Sequence, residues 1–385
     1  MSPRPLARPP LSRVLPVAAG VLALGLLTAC GSSSSESGES SAAAGESSAA
    51  STLDPNADLS QQSLVVSNWE NYMPEDLPQK FQDKYGPTVT VTNHATNEEI
   101  VAKLTATADP GIDVAFVSGQ FAQALAEQGL LEPIDQALIP NLSNLYPEAQ
   151  ELAYDPGNTI SVPYAWGTTG LCYRSDMVSS EPTSWNDLLE PADDIKGKIT
   201  MLATERWLML PAQKALGFSV NTTDEAEMEQ VKEKLLAVKP DLLAYDDTTF
   251  YSRLVSGEAA LVEAWDGWCN YGIAENDQIK FVVPSEGSDL WVDTMVILKS
   301  SQNKEAAHAF INYILEPDTQ AWVVENILYK VPNKAAMEKV SPELAQTYPN
   351  LGMTPAELLE GEALVDLGDA GPMYTRIATE VTAGG

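Results

Sequence analysis

Histidine is nearly missing from this chain of 385 residues, where His94 and His308 are the only two. A metal centre built on several imidazoles is therefore excluded. A serine–histidine–aspartate triad would have to recruit one of this pair, yet no Gly-x-Ser-x-Gly elbow is present. Neither G-x-x-x-x-G-K-[ST] nor G-x-G-x-x-G occurs to cradle a phosphate. Basic residues are also few: 22 Lys+Arg face 54 Asp+Glu, for a formal net charge of -32. A surface this acidic argues against nucleic acid, whose binding rests on neutralising phosphates, and leans towards cationic partners. Cysteine is scarce, at 3. Outside the cytoplasm Cys172 and Cys269 are an even pair, and the sequence leaves open whether they approach within bonding range. No apolar run after residue 30 reaches transmembrane length.

What is present starts at the N-terminus. Arg4, Arg8 and Arg13 precede an apolar run from Val14 to Leu27, followed by small residues up to Cys30. The run is short for a bilayer span, and its basic flank and small-residue exit predict a secretory signal over 1–29. "LTAC", Leu27 to Cys30, resembles the lipobox of bacterial lipoproteins. That resemblance implies lipidation at Cys30 and a mature chain anchored on the outer side of the cell membrane. Gly31 to Thr52 is Ser/Ala/Gly-rich with only Glu as charge, which cannot repay its ordering entropy by burial. A flexible tether over 30–60 is expected. The rest of the chain is longer than one hydrophobic core usually serves, so two lobes are expected.

From residue 62 short β-rich runs alternate with helical stretches. "SLVVSNW", "TVTVTNH" and "IDVAFVS" read as strands, separated by helices in "PEDLPQKFQDKYG" and "TNEEIVAKLTATA" and followed by "GQFAQALAEQGLL". A second set holds the strands "GKITMLA", "EAALVEAW" and "IKFVVP". Its helices begin near Thr204, at Thr222, in "TTFYSRLVSG" and at "DGWCNYGIAEN". Such alternation predicts an α/β fold of βαβ units around mostly parallel sheets. Ligands of open α/β sheets bind outside the carboxyl ends of strands, and several ends here carry the same chemistry. They are Trp69-Glu70-Asn71-Tyr72, Ser118-Gly119-Gln120, Thr204-Glu205-Arg206-Trp207 and Trp265-Asp266-Gly267-Trp268, with Trp291 and Asp293 in "LWVD". Of 8 tryptophans, six fall at these places once Trp166 of "YAWG" is included, whereas core aromatics usually scatter.

Tryptophans and carboxylates around a cleft suit an organic cation. Each aromatic face adds about 0.5 to 2 kcal/mol of cation–π attraction, and a carboxylate adds a charge-assisted hydrogen bond. Stacked tryptophans also suit sugars, so a surface glycan hydrolase or lectin-like binder is the competing class, with paired acids as its catalysts. A binding protein without cofactor or metal is the expected reading.

The stretches "NWENYMP", "NEEIVAKL", "IDVAFVS", "NLSNLYP", "SVPYAWGTTGL", "TSWNDLLEP", "ALGFSVNTTD", "LWVDTMVI" and "VPNKAA" occur in the order found in one family. Through them the chain from about Leu64 onwards resembles the extracytoplasmic spermidine/putrescine-binding proteins of ABC importers. The resemblance implies a type II two-lobe periplasmic-binding-protein-like fold: a monomer that traps ligand between its lobes and serves a permease and ATPase. One lobe would comprise 61–167 and 291–335, the other 168–290 and 336–385. It implies ligand contacts at Trp69, Tyr72, Ser118, Trp265, Trp291 and Asp293. At the family's acidic positions this chain has Asn71, with Glu70 one residue earlier, and Thr204 and Trp207. Gln120 replaces an aromatic, and Leu364 falls near an expected Gln. Fewer carboxylates and an extra tryptophan suit a ligand with one charged end. Polyamine leads as the expected ligand, followed by agmatine, 4-aminobutyrate and choline or betaine types. Asp266 is a further candidate, and Tyr329 is read as a hinge brace.

Overall fold

The computed structural model describes residues 53–383, so the signal segment 1–29, Cys30 and the tether up to residue 52 lie outside the described residues. The chain first forms β1 (Ser63–Asn68), α1 (Leu77–Tyr85), β2 (Thr88–Asn93), α2 (Asn97–Thr105), β3 (Val114–Ser118) and α3 (Gly119–Glu127). After a loop of short 3-10 turns come β4 (Val162–Gly167), β5 (Thr169–Arg174), α4 (Asn186–Leu189), β6 (Ile199–Met201), α5 (Glu205–Ala215) and α6 (Glu225–Val238). Then follow β7 (Ala244–Tyr245), α7 (Phe250–Ser256), β8 (Leu261–Trp265), α8 (Asp266–Glu275), β9 (Ile279–Val282) and β10 (Asp289–Ile297). The last part holds α9 (Lys304–Ile314), α10 (Pro317–Ile327) and the short helices α11 (Lys334–Met337), α12 (Pro342–Thr347), α13 (Pro349–Gly352) and α14 (Pro355–Leu358). It closes with β11 (Glu362–Ala363) and α15 (Gly371–Thr382).

Local chemistry sets the boundaries. Gly86 ends α1 in the left-handed region at φ 96°, where a side chain would be strained. Thr96 caps α2 by accepting the Glu99 N–H at 3.1 Å. The expected cap of α6 at Thr222 is corrected: Asp224 accepts the Ala226 and Glu227 N–H groups, and Thr222 bonds the Glu227 side chain instead. Asp224 lies directly before the first helical residue, where its short carboxylate reaches two free N–H groups.

Two sheets form, in the orders β11-β10-β3-β1-β2, with β4 also on β10, and β7-β6-β8-β5-β9. β1 runs parallel to β2 and β3, and β6 runs parallel to β7 and β8, as the βαβ alternation requires. The antiparallel pairs are β10 with β3 and β4, and β5 with β8 and β9. Their origin is the crossing between sheets, which brings β5 and β10 in from the opposite end. β4 ends at Gly167 beside Trp291, and two residues later β5 begins at Thr169 beside Trp265. β10 changes partners along its length: Asp289 and Leu290 pair with β11, while the residues from Trp291 pair with β3 and β4.

Leu64, Val66, Phe81, Phe116 and Phe310 are fully buried around the first sheet, and Ile199, Leu208, Val262 and Leu254 around the second. Cys172 on β5 and Cys269 on α8 form a disulfide, with Cα atoms 5.9 Å apart. Val331, Ala336, Val340, Tyr348 and Leu351 cluster with Ala321 and Val324 of α10, and Ile273 of α8 packs against them. The segment after α10 thus leans on elements of both sheets.

Candidate functional site

Asp289, Trp291 and Asp293 alternate along β10, so the two-residue period of a strand puts two carboxylates and an indole on one face. Asp293 is the centre of the first wall. The Tyr72 hydroxyl donates to its Oδ2 at 2.8 Å and the Ser118 hydroxyl to its Oδ1 at 2.7 Å. Ser118 is fixed in turn by Asn97, which donates to its Oγ at 3.0 Å and accepts its N–H at 2.9 Å. Burial pushes the Asp293 carboxyl up to about 6, against the pull of these two hydroxyls.

A chain of edge-to-face aromatics lines this wall: Trp69 to Tyr72 at 5.6 Å, Tyr72 to Tyr329 at 5.4 Å, and Tyr329 to Trp291 at 5.5 Å. Two of its members follow a left-handed residue that is not glycine. Asn71, at φ 58°, precedes Tyr72, and Leu328, at φ 55°, precedes Tyr329. Such backbone costs about 1 to 2 kcal/mol, and strain of this kind collects where a side chain must be aimed. Asn71 contributes that bend, while its side chain and that of Glu70 are exposed. Gln120 is buried in the first turn of α3, and its Nε2 has no partner among the described residues.

On the second wall Trp207 meets Trp265 edge to face at 5.3 Å, and Phe250 lies 6.3 Å from Trp265. The Trp207 Nε1–H donates to Asp289 Oδ2 at 2.9 Å, and the Thr169 N–H donates to Oδ1 at 2.8 Å. Glu263, fully buried on β8, accepts the Leu202 N–H at 3.0 Å through Oε2, while its Oε1 has no partner among the described residues. Burial raises both carboxyls, Glu263 well above the usual range. Thr204 precedes α5 and donates its hydroxyl to Asp247 Oδ2 at 3.1 Å.

Between the walls lies Asp266, at 1% exposure, accepting the Gly267 N–H at 2.7 Å. Burial pushes its carboxyl up to about 8. The crossing is glycine for a steric reason. A Cβ on Gly167 would fall 2.3 Å from Trp291 Cζ2 and 2.6 Å from Asp266 Oδ1, and one on Gly267 would fall 2.4 Å from the Tyr329 ring.

The structure therefore brings Trp69, Tyr72, Ser118, Trp291 and Asp293 together on one side and Thr204, Trp207 and Trp265 on the other. Trp166 is instead stacked on Tyr146 in the core, at 5.8 Å. Three further residues join them: Tyr329, whose ring bridges Tyr72 and Trp291, and the acids Asp289 and Glu263. The five-residue alternation "DLWVD" carried the signal for Asp289, and a lone acid in the apolar run "AALVEAW" carried it for Glu263. Asp289 and Glu263 lie on the strands that carry Trp291 and Trp265, and both are fully buried.

None of Asp247, Glu263, Asp266, Asp289 and Asp293 forms an ion pair with a Lys or Arg among the described residues. Lys330 lies near Asp266, but its ammonium donates to the Leu351 carbonyl at 3.0 Å and burial lowers it to about 8. Arg206, near Asp289, is held by the Val220 and Val365 carbonyls and Asn221. Buried and half-buried acids supported chiefly by neutral donors favour either a proton or an incoming organic cation.

Two sheets joined where β4 passes into β5, with aromatic and acidic strand ends around that crossing, define a two-lobe solute-binding protein. The chain belongs to the bacterial extracellular solute-binding protein family, whose model matches residues 77–352. It is 32% identical over 326 residues to the spermidine/putrescine-binding periplasmic protein of Salmonella typhimurium, covering 84% of this chain and 92% of that one. Among solved structures it is similar to PotD, the spermidine/putrescine ABC transporter substrate-binding protein of Streptococcus pneumoniae. That match has a TM-score of 0.73 and 27% identity, over 83% of this chain and 98% of the other. The TpPotD lipoprotein of Treponema pallidum matches with a TM-score of 0.76 and 28% identity, over 83% and 99%. The family resemblance carried by the sequence motifs is thereby met, as is the two-lobe α/β fold.

Proposed function

We propose that this chain is the substrate-binding component of an ABC importer and captures a polyamine of the putrescine or spermidine class between its lobes. The observation that carries this reading is Asp293: a half-buried carboxylate, held among the described residues only by two hydroxyls, beside the Trp69–Tyr72–Tyr329–Trp291 wall. An ammonium group placed there gains a charge-assisted hydrogen bond, and the aromatic faces cover the methylene chain. The names of the relatives agree with this chemistry. In this reading the lobes are 61–167 with 291–335, and 168–290 with 336–385. Residues 336–351 lie against both, and the hinge passes through Gly167 and Leu290. Trp69, Tyr72, Ser118, Gln120, Trp291 and Asp293 face the ligand from one lobe, and Thr204, Trp207, Trp265 and Asp266 from the other. Glu70 and Asn71 shape the rim. The protein works as a monomer without catalysis, is tethered to the membrane through Cys30, and delivers its ligand to a permease driven by an ATPase.

The test is a thermal-shift screen with putrescine, spermidine, agmatine, 4-aminobutyrate, choline and betaine, followed by calorimetry on the hits. A polyamine at 100 times its Kd is expected to add about 2.7 kcal/mol of apparent stability. Response to no amine, together with a response to oligosaccharide, would transfer the site to the glycan reading.

A further inference from the structure

Asp247 lies outside the tryptophan-bearing strand-end motifs, and topology brings it to the second wall. β7 and β8 flank β6 in parallel, with Met201 opposite Tyr245 and Thr200 opposite Val262. The carboxyl ends of all three strands therefore emerge at one edge, where Ala203-Thr204, Asp246-Asp247 and Trp265-Asp266 meet. The two adjacent acids are used differently. Asp246 is paired with the Arg253 guanidinium at 2.7 Å and accepts the Thr248 and Thr249 N–H groups. Asp247 has no cation among the described residues: its Oδ1 accepts the Ala203 and Thr204 N–H groups at 2.7 and 3.3 Å, and its Oδ2 accepts the Thr204 hydroxyl at 3.1 Å.

Accessibility separates Asp247 from the other acids of this wall. Asp289 and Glu263 are fully buried, whereas Asp247 is half-buried. Trp207 follows Thr204 by three residues, so helical spacing sets its indole one turn above the N–H groups that hold Asp247. Glu263, whose Oε1 has no partner among the described residues, lies close enough to Asp247 to act on it electrostatically. A reachable carboxylate, backed by a second acid and flanked by tryptophan, prefers a cation to any neutral group.

Resting on the polyamine reading above, we propose that Asp247 is the second-lobe carboxylate that receives one ammonium end of a linear diamine or polyamine, while Asp293 receives the other. The chain sets the ligand class by this pair: a cation at each end and an apolar middle against the tryptophans.

The experiment compares 1,4-diaminobutane with 1-aminobutane by calorimetry on the wild type, Asp247→Asn and Asp247→Ser. The wild type is expected to prefer the diamine by at least about tenfold, and both variants to lose that preference to about twofold or less. Circular dichroism establishes that each variant is folded, and Asp247→Ser carries the test if Asp247→Asn does not fold. A diamine preference that survives in a folded variant overturns the role of Asp247 and leaves the receptor reading intact. A wild type that binds neither amine overturns both.

Discussion

The two walls of the cleft handle negative charge in opposite ways. On the first, Asp293 is held by two hydroxyl donors, Tyr72 and Ser118, each free to turn its proton elsewhere when a better donor arrives. On the second, Asp289 is held chiefly by the Trp207 indole N–H and the Thr169 backbone N–H, donors whose protons have fixed directions, with the Ser288 hydroxyl a longer third contact at 3.2 Å. The first arrangement is exchangeable and suits a group that grips and releases. The second is a fastening: Asp289 orients the indole and adds field from behind it. The lobes differ in covalent support too, since the only disulfide among the described residues, Cys172–Cys269, joins β5 to α8 beneath the second wall.

This contrast can be broken from its strongest side first. The disulfide closes a loop spanning 97 residues, and a crosslink of that length removes about 4.7 kcal/mol of denatured-state freedom. A Cys172→Ala/Cys269→Ala double variant is expected to lose roughly that much stability in a urea titration while keeping the first-wall contacts. A loss below about 1 kcal/mol would show that packing alone secures the second lobe. Next comes Asp293→Asn, which leaves the volume unchanged and removes the charge. Amine affinity is expected to fall about a hundredfold, or about 2.7 kcal/mol, by calorimetry. A fall of less than about threefold would move the grip to the second wall. Smaller again is Gly167→Ala, whose Cβ displaces the Trp291 ring and the Asp266 carboxylate. Overpacking of this kind costs about 1 to 3 kcal/mol, and here part of it should appear as a tenfold loss of affinity.

The sequence made the strand and helix order legible because each βαβ unit carries its own punctuation, such as Thr96 before α2 and Gly86 after α1. Trp69, Tyr72, Ser118, Trp291 and Asp293 were legible because each stands at a strand end or in a strand that faces the crossing. Tyr329 was seen only as a brace, since its approach to Tyr72 depends on the left-handed turn at Leu328, which no residue preference announces. Glu263 and Asp289 were passed over for a different reason. An acid in an apolar strand looks like an exposed edge position until the neighbouring strand covers it. The α6 cap was misplaced by two residues because Thr222, Thr223 and Asp224 are all competent caps, and only the backbone geometry at Asp224 selects among them.

The smallest expected effect is a pH dependence that belongs to the first wall. Burial raises the Asp293 carboxyl from 3.8 to about 6. The tyrosines around it, Tyr72, Tyr164 and Tyr329, are all raised and stay neutral through this range. Because the folded carboxyl binds its proton more tightly than the unfolded chain does, its contribution to stability falls as pH rises from about 4 to about 6 and is level above that. Wild type minus Asp293→Asn stability should therefore decline across that window. For binding the sign reverses, since an ammonium needs the carboxylate and must compete with the proton. Amine affinity is expected to be about tenfold weaker at pH 5 than at pH 7, while Asp293→Asn shows a flat profile over the same range. A wild-type profile as flat as the variant's would mean that the ligand's charge never reaches Asp293, and the exchangeable wall would then be the second one.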